Sequence, residues 1–543
     1  MKRLASVAIV FMVLWLVVPS IGQAQLYPEW GDSYNGTDNL NDVAVDLVAI
    51  GETLYVVGGE KFYNPPYERS KIVIRKYSPD GILLAEGEFP PPELADTVSQ
   101  AVPNCIVALS GGKLAVGGSV LRIGTSGGEC LLVIFNPDLS VHAWHIFSGN
   151  FLASHTGLFF LAYEPVNGCI YGAGAIVDTA SSLFYDKVIV VKYDTEAQPL
   201  WDPFPQFVYS HYSRAYGFAI DEAGNSYVTA RDGTYDVIST ASFDTNGDLR
   251  WSDSYVGPDN TVCYDLAIDL LGRVHVVGYS GSADIDAIDL VYSSTGDFLE
   301  TETLIYDGYA PGLTAYFVSL AFDQSGNRYL IGGAEPSTGG DLLHALIVKT
   351  DLMGQVQWQS LWTHDSTYSH EASLLVLDDY GRLMVCERGH TGFSAVPENN
   401  FLVFNQLDGT LVGYAQTLVV DDPVYSYHTL SLTRSESGNI YFCGDKQFSG
   451  QGLDWAVIKF IPFVTGEASW DNLLRPNDLT RLVGFLKGKW DIYPSLIGDV
   501  NGDCLIDLAD VTYYVQYFMS GDFPPAYGDC VDLEAWFLDQ VGP

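Results

Sequence analysis

Positive charge is scarce in this chain. Against 67 Asp and Glu stand 26 Lys and Arg, a formal net charge of −41. Such a surface repels nucleic acid and anionic membranes, which excludes functions that need a basic face. Methionine is scarce too, at five residues. No CxxC pair points to a zinc site, and HExxH is absent, so the ten scattered His give a zinc hydrolase no support. Beyond the N-terminal region no stretch approaches the ~18–20 apolar residues that cross a bilayer. No amphipathic helical pattern of ten residues occurs before about residue 477. Disorder is excluded as well, because apolar residues make up 48% of the chain.

What is present begins with an export signal. Lys2 and Arg3 precede the apolar run Leu4–Val18, and Gly22-Gln23-Ala24 supplies small residues for cleavage. A membrane anchor fits less well, because the run is short and Pro19 follows it. Residues 1–24 are therefore expected to be a signal peptide, and the mature protein to be secreted without a membrane span. Export permits disulfides among the eight Cys. Cys386 and Cys443 occupy equivalent places in neighbouring repeats, which makes them buried strand residues rather than partners.

A repeated unit fills most of the chain. Its marker is a short apolar strand ending in a small residue, as in LYVVGG (54–59), SYVTAR (226–231) and RYLIGG (328–333). Eight copies lie about 48 to 59 residues apart. A first strand precedes each marker, joined to it by turns such as Asp221-Glu-Ala-Gly-Asn225, Asp323-Gln-Ser-Gly-Asn327 and Asp379-Tyr-Gly-Arg382. In these turns Asp accepts backbone N–H groups and Gly takes the positive-φ position. A third strand follows a longer loop, and a second turn (SPDG 78–81, DTNG 244–247, SSTG 293–296) leads to a fourth strand that often carries Trp.

Four short antiparallel strands repeated eight times predict an eight-bladed β-propeller over residues 25–464. A stacked β-solenoid is the alternative, although its repeats are usually shorter. The ends favour a ring. The last repeat stops after its third strand, and Trp30-Gly-Asp-Ser-Tyr-Asn-Gly36 matches the fourth-strand segment Trp251-Ser-Asp-Ser-Tyr-Val-Gly257. The N-terminal strand is thus expected to complete the last blade and leave no open edge. Residues 28 to about 463 resemble secreted bacterial β-propeller repeats of the form Asp-x-x-Gly-Asn-x-Tyr. That resemblance implies the fold and says nearly nothing of function.

The segment 465–543 reads differently. Residues 499–510 place oxygen side chains at loop positions 1, 3, 5, 9 and 12, from Asp499, Asn501, Asp503, Asp507 and Asp510, with the Leu505 carbonyl at position 7. A 12-residue loop wraps Ca²⁺ with this spacing. Apolar residues at helical spacing follow at Val511, Tyr514, Val515 and Phe518, and the same phase appears at Leu479, Leu482, Val483 and Leu486. Asp478, Asp510 and Asp532 each stand where an acid caps a helix start.

This module resembles a dockerin with one intact calcium loop, where two are usual. The resemblance implies Asp499, Asn501, Asp503, Leu505, Asp507 and Asp510 as ligands and a cohesin-like or other surface protein as partner. Position 6, usually Gly, is Cys504, and Leu508 and Ala509 depart from the Ser/Thr pattern of cellulose-degrading assemblies. Cys504 and Cys530 hold matching places in two loop copies and form the best disulfide candidate.

Other constellations weigh less. Gly124-Thr-Ser126-Gly-Gly128 fits G-x-S-x-G, but a nucleophile elbow needs a strand before it and a helix after it, and here it lies in a loop between strands. Trp30, Trp144, Trp201, Trp251 and Trp358 share the fourth-strand position. Repeated Trp docks the blades of quinone dehydrogenases, yet their longer consensus is missing, so packing between blades is the reading. The loops between second and third strands mix aromatics and charge, among them Tyr63, Arg69, Phe184, Arg388, Phe393 and Phe448, and could take a glycan or protein ligand.

Two functions follow. The first is a secreted non-catalytic binding or scaffold protein with a calcium-binding, dockerin-like tail. The second is an extracellular propeller enzyme, a polysaccharide glycosidase or lyase tethered by that tail. Two or three buried acids with an Arg or His in the axial channel would favour the enzyme. A funnel lined by apolar first-strand residues would exclude it.

Overall fold

Asp221 shows how the repeat folds locally. Its Oδ1 accepts the N–H groups of Ala223 and Asn225 at 3.0 and 2.8 Å. Its Oδ2 accepts the Asn225 side-chain amide at 2.7 Å and the Tyr227 hydroxyl at 2.9 Å. Gly224 takes φ 79°. Asp323, Asn327 and Tyr329 repeat the arrangement. One carboxylate thus closes the turn and orients the marker Tyr, which explains why those residue types recur at that spacing. In the following repeat Asp378, not the expected Asp379, does this: its Oδ1 accepts the Arg382 N–H at 2.8 Å.

The computed structural model describes residues 24–464 apart from short gaps in loops, the longest being 418–430, and also Leu482 and Leu486. By its contacts the chain divides into two units, Leu26–Pro462 with Gly528–Pro543 and Met1–Gln25 with Phe463–Tyr527. The first holds the propeller. Its inner strands are Val43–Ile50, Val98–Ala108, Gly157–Glu164, Ala215–Ile220, Val262–Ile268, Ala315–Phe322, Ser369–Leu377 and Ser431–Arg434. Each touches the next, and the last touches the first, so the circuit of inner strands closes. Ala24–Tyr34 forms the outer strand of the sheet built by Ser431–Arg434, Ile440–Gln447 and Leu453–Val464.

The expectation of eight separate blades followed by a helical domain is corrected here. Six sheets are separate four-stranded blades, and the remaining strands form one eight-stranded sheet. The cause is a long hairpin, Thr53–Asn64 with Tyr67–Tyr77, that overreaches its blade. Ser70 pairs in parallel with Gln100 of Val98–Ala108, and its hydroxyl donates to the Ala101 carbonyl at 3.2 Å. Among the described residues no α-helical element is delineated. Of the expected helices only Leu482 and Leu486, both with helical backbone, are described. The rest of 465–543 lies outside the described residues.

Apolar side chains alternate along the strands and meet between neighbouring sheets, as where Leu132, Ile134, Ile170, Ile189 and Val191 share one cluster. A second device joins the blades. The Nε1 atoms of Trp30, Trp201, Trp251 and Trp358 donate to the carbonyls of Pro79, Thr245, Ser294 and Gln406, at 2.9, 3.1, 3.2 and 3.1 Å. Each indole lies on a turn glycine of the next blade: Gly81, Gly247, Gly296 or Gly409. Lys459, Lys192, Arg250 and Lys349 donate to the same four carbonyls. These Trp therefore pack blades together. Trp144 differs, meeting Phe89 edge-on at 6.4 Å.

Glycine is required under the indole. Gly247 has φ +90°, and a Cβ there would lie 2.8 Å from the Trp201 ring. We predict that Gly247→Ala lowers stability by about 2–4 kcal/mol, from backbone strain plus overpacking. Gly51→Ala, with φ +58° and open space around it, should lose only the strain, about 1 kcal/mol. Urea midpoints compare the two, and equal losses would refute the clasp.

Candidate functional site

The inner strands are not regular. Seven of them carry a β-bulge against their second strand, at Ala44/Asp46, Pro103/Cys105, Leu158/Phe160, Ala215/Gly217, Cys263/Asp265, Phe317/Ser319 and Ala372/Leu374. A bulge leaves one residue unpaired and re-aims its side chain. The extra residues are Val45, Asn104, Phe159, Tyr216, Tyr264, Val318 and Ser373, and all seven line one axial cavity of about 650 Å³. Asp46, Asp265, Arg214, Arg231, Tyr279, Ser319 and Ser431 line it as well. The cavity is therefore polar and aromatic as well as apolar.

Two acids are built into this wall. Asp265 accepts the Leu266 N–H at 2.8 Å and the Ser319 hydroxyl at 2.7 Å, which bridges two blades. Burial pushes its carboxyl up to about 6 despite these bonds. Asp46 accepts the Ile106 N–H at 2.9 Å and the Ser431 hydroxyl at 2.6 Å, and burial raises it too.

A second cluster stands toward the start of Ser369–Leu377, on the strand that gives the cavity Ser373 and Leu374. Glu371 faces Arg388 across the ladder and is hydrogen-bonded by the Tyr316 hydroxyl. Burial raises Glu371; the neighbouring Glu387 adds to the rise, while Arg388 and Tyr316 oppose it. Tyr316 meets Tyr279 at 6.5 Å, and Tyr279 meets Tyr264 at 6.1 Å, so aromatic rings run from this cluster to the cavity wall. Behind it, His370 Nδ1 lies 2.7 Å from Glu387 Oε1, and Glu387 Oε2 accepts the Asn400 amide at 2.6 Å. His370 and Glu387 are both buried.

Of the loop residues singled out in sequence, only Arg388 joins this arrangement among those described, and it stands in the strand Arg382–His390. Tyr63 is exposed, and Arg69 Nη1 donates to the Ala95 carbonyl at 2.9 Å. Phe184, Phe393 and Phe448 lie outside the described residues, as do all the expected calcium ligands from Asp499 to Asp510 and both Cys504 and Cys530. Of the G-x-S-x-G match, Ser126 lies outside the described residues; Gly128 begins the strand Gly128–Phe135, so a strand and not a helix follows. Cys105, Cys130, Cys169, Cys263 and Cys386 are free and buried, and Cys443 is buried as well. Sequence reasoning missed Asp46, Asp265, Tyr316 and Glu371, which lie on first strands with one residue too many, and also Arg214 and Arg231, which do not.

No family model matches the chain, and no curated protein does. Solved structures do resemble it. The polysaccharide lyase Uly1 aligns at 10% identity and TM-score 0.41, covering 80% of this chain and 99% of its own. The β-propeller domain of the Trilobed protease from Pyrococcus furiosus, described as having an open velcro topology, aligns at 10% identity and TM-score 0.37, covering 66% and 92%. An endo-arabinase from Bacteroides thetaiotaomicron aligns at 12% identity and TM-score 0.29, covering 44% and 91%. Likeness at this level concerns architecture and carries nothing about chemistry.

Proposed function

We propose that this protein is an extracellular enzyme that cleaves polysaccharide at the axial cavity of its propeller. The observation that carries the reading is the wall itself: two half-buried acids and two arginines, Asp46, Asp265, Arg214 and Arg231, share one cavity. A purely apolar funnel would have argued the reverse. Ring faces of Tyr216, Tyr264 and Tyr279 and the hydroxyls of Ser319, Ser373 and Ser431 suit a polyhydroxylated ligand that presents both CH faces and OH groups.

Glu371 supplies the proton in this reading. Hydrolysis and elimination of a glycosidic bond share one need, protonation of the leaving oxygen. A carboxyl raised by burial is moved toward that role. Tyr316 orients it by hydrogen bonding, and Arg388 stabilises the carboxylate left behind. Glu371→Gln is expected to lower the cleavage rate about 10²–10⁴-fold with the fold intact. New reducing ends, followed over a panel of polysaccharides, report cleavage by either route, and ultraviolet absorbance of a new C=C bond identifies elimination. An unchanged rate in Glu371→Gln removes that residue's role. A panel that is bound and never cut restores the non-catalytic scaffold.

The tail belongs to the proposal on its spacing alone. Residues 1–24 direct export, and the dockerin-like segment holds Ca²⁺ through Asp499, Asn501, Asp503, Asp507, Asp510 and the Leu505 carbonyl, attaching the enzyme to a cohesin-like or other surface protein. Titration calorimetry should show calcium binding to the full mature chain, lost in Asp499→Ala. Equal heats from both proteins count against the loop.

A further inference from the structure

Beside Glu371 lies a buried polar cluster that the proposed reaction does not use. His370 Nδ1 is 2.7 Å from Glu387 Oε1, and Glu387 Oε2 accepts the Asn400 amide at 2.6 Å. Glu387 and Asn400 are 0% exposed and His370 is 1% exposed. Taking an acid, an imidazole and an amide out of water together costs desolvation energy, so packing alone does not explain them.

The register ties this cluster to Glu371. His370 is its chain neighbour, and Glu387 faces Ala372 in the ladder in which Glu371 faces Arg388. The Glu371 N–H adds a third hydrogen bond to the Glu387 carboxylate. His370 is itself fixed: its backbone N–H donates to the Leu343 carbonyl at 2.8 Å, and its ring meets Trp362 edge-on at 5.6 Å. Glu387 therefore holds the backbone of Glu371 while its charge acts on the Glu371 carboxyl.

The charges act in a definite sense. For Glu387, burial favours the neutral acid, while His370, Asn400 and the Glu371 N–H favour the carboxylate. For Glu371, burial and the Glu387 charge favour the acid, while Arg388 and the Tyr316 hydroxyl favour the carboxylate. His344, on the strand His344–Thr350 of the neighbouring blade, faces His370, and burial and the His370 charge both lower it. Two neighbouring carboxyls do not ionise alike. The three hydrogen bonds at Glu387 assign the charge to it and leave the proton to Glu371.

We propose that His370 and Glu387 are positioning residues for Glu371: the imidazole holds Glu387 as a carboxylate, and that buried charge keeps the proton on Glu371. This rests on Glu371 being the acid of the proposed cleavage, and it gives neither positioning residue a bond-making step.

The test reads the Glu371 proton directly. Infrared difference spectra of the full mature chain are recorded against pH, and the protonated-carboxyl band of Glu371 is identified by its loss in Glu371→Gln. Glu387→Gln keeps the size and removes the charge, and should move the midpoint of that band down by about half to one pH unit. His370→Leu should move it the same way, because a buried Glu387 without its donor becomes neutral. His370→Gln keeps an amide donor and should restore the parent midpoint. His370→Leu combined with Glu387→Gln should move it no further than Glu387→Gln alone. Where a polysaccharide is cut, the alkaline limb of kcat/KM should shift down by the same amount, since the acid loses its proton sooner. An unmoved midpoint in Glu387→Gln, additive shifts in the double variant, or no Glu371 band at any pH overturns the inference. A moved midpoint without cleavage of any polysaccharide sinks only the enzyme reading, and cleavage with an unmoved midpoint sinks only this one.

Discussion

Arg328→Met is expected to destabilise the protein by about 3–5 kcal/mol, the scale for breaking a buried ion pair from one side. Arg328 and Asp289 are fully buried, and their N···O distance is 2.6 Å. Asp289 also meets His275 Nδ1 at 3.1 Å, while His275 Nε2 lies 3.4 Å from Asp269. Asp269 in turn pairs with Arg273 at 2.5 Å, and Arg273 with Glu302. Three carboxylates therefore face two arginines and one histidine. Removing Arg328 leaves Asp289 short of a partner in a place without water to replace it. Arg328→Met combined with Asp289→Asn should recover part of the loss, because the stranded charge is gone. Urea unfolding measures both, and a loss below about 1 kcal/mol in the single variant would mean that the pair contributes little.

The same network sets a pH window. Burial disfavours the His275 cation, yet Asp289 and Asp269 outweigh it, and the imidazole is raised above its ordinary value. That contribution is fully present below the unfolded value, about 6.5, and is lost as pH rises through the raised folded value. Asp269 and Asp289 are lowered, against burial, by His275 and the arginines. Their contribution is present above about 3.9 and is lost as pH falls through their folded values. The network is strongest between those limits. His275→Gln should flatten the alkaline side of the stability profile and leave an acid limb.

Trp30→Ala is expected to cost about 3–5 kcal/mol, and removal of the N-terminal strand to open the ring. Trp30 is 7% exposed and lies 5.6 and 6.1 Å from the rings of Tyr77 and Tyr441, which belong to the first and last blades. Two residues on, Asp32 accepts the Tyr77 hydroxyl at 2.7 Å and pairs with Arg75 at 3.0 Å. Tyr34 packs on Trp455 at 4.9 Å and donates to Glu60. One short strand thus ties the two ends of the circuit. A mature chain lacking residues 25–36 should lose its thermal midpoint, and a peptide of those residues added in trans should restore part of it. An unchanged midpoint in the shortened chain would show that the seam is not needed.

The repeated strands and their turns were legible because they rest on local chemistry, whereas the eight separate blades and the helical domain that the repeats and the tail suggested were not what the fold of the described residues contains. Asp221, Gly224, Asn225 and Tyr227 close and orient one turn within seven residues, and Gly81 or Gly247 has to be glycine beneath an indole. Such residues recur in the chain at the spacing they have in space. The partial exceptions are instructive. The fusion of two blades at Ser70 and Gln100 comes from strand length, which alternation of apolar residues does not bound.

The site was legible only at Arg388. Strand periodicity assigns faces by counting in twos, and each inner-strand bulge shifts the count by one. Tyr264 and Ser373 therefore reach the axis from positions that look like any other strand residue. Asp46 and Asp265 look like two among 67 acidic residues until the Ser431 and Ser319 hydroxyls arrive from other blades.

The sequence by itself determined the β-repeat, the turn chemistry, the indole packing and the N-terminal strand as a match for the missing outer one, since each follows from contacts between residues near in the chain or repeated along it. The tertiary structure alone decided how the sheets divide, which carboxyls are buried, and that Arg214 and Arg231 share a cavity with Tyr264, Tyr279 and Ser431. Those facts depend on bulges and on approach between blades, where residues hundreds of positions apart meet at one axis.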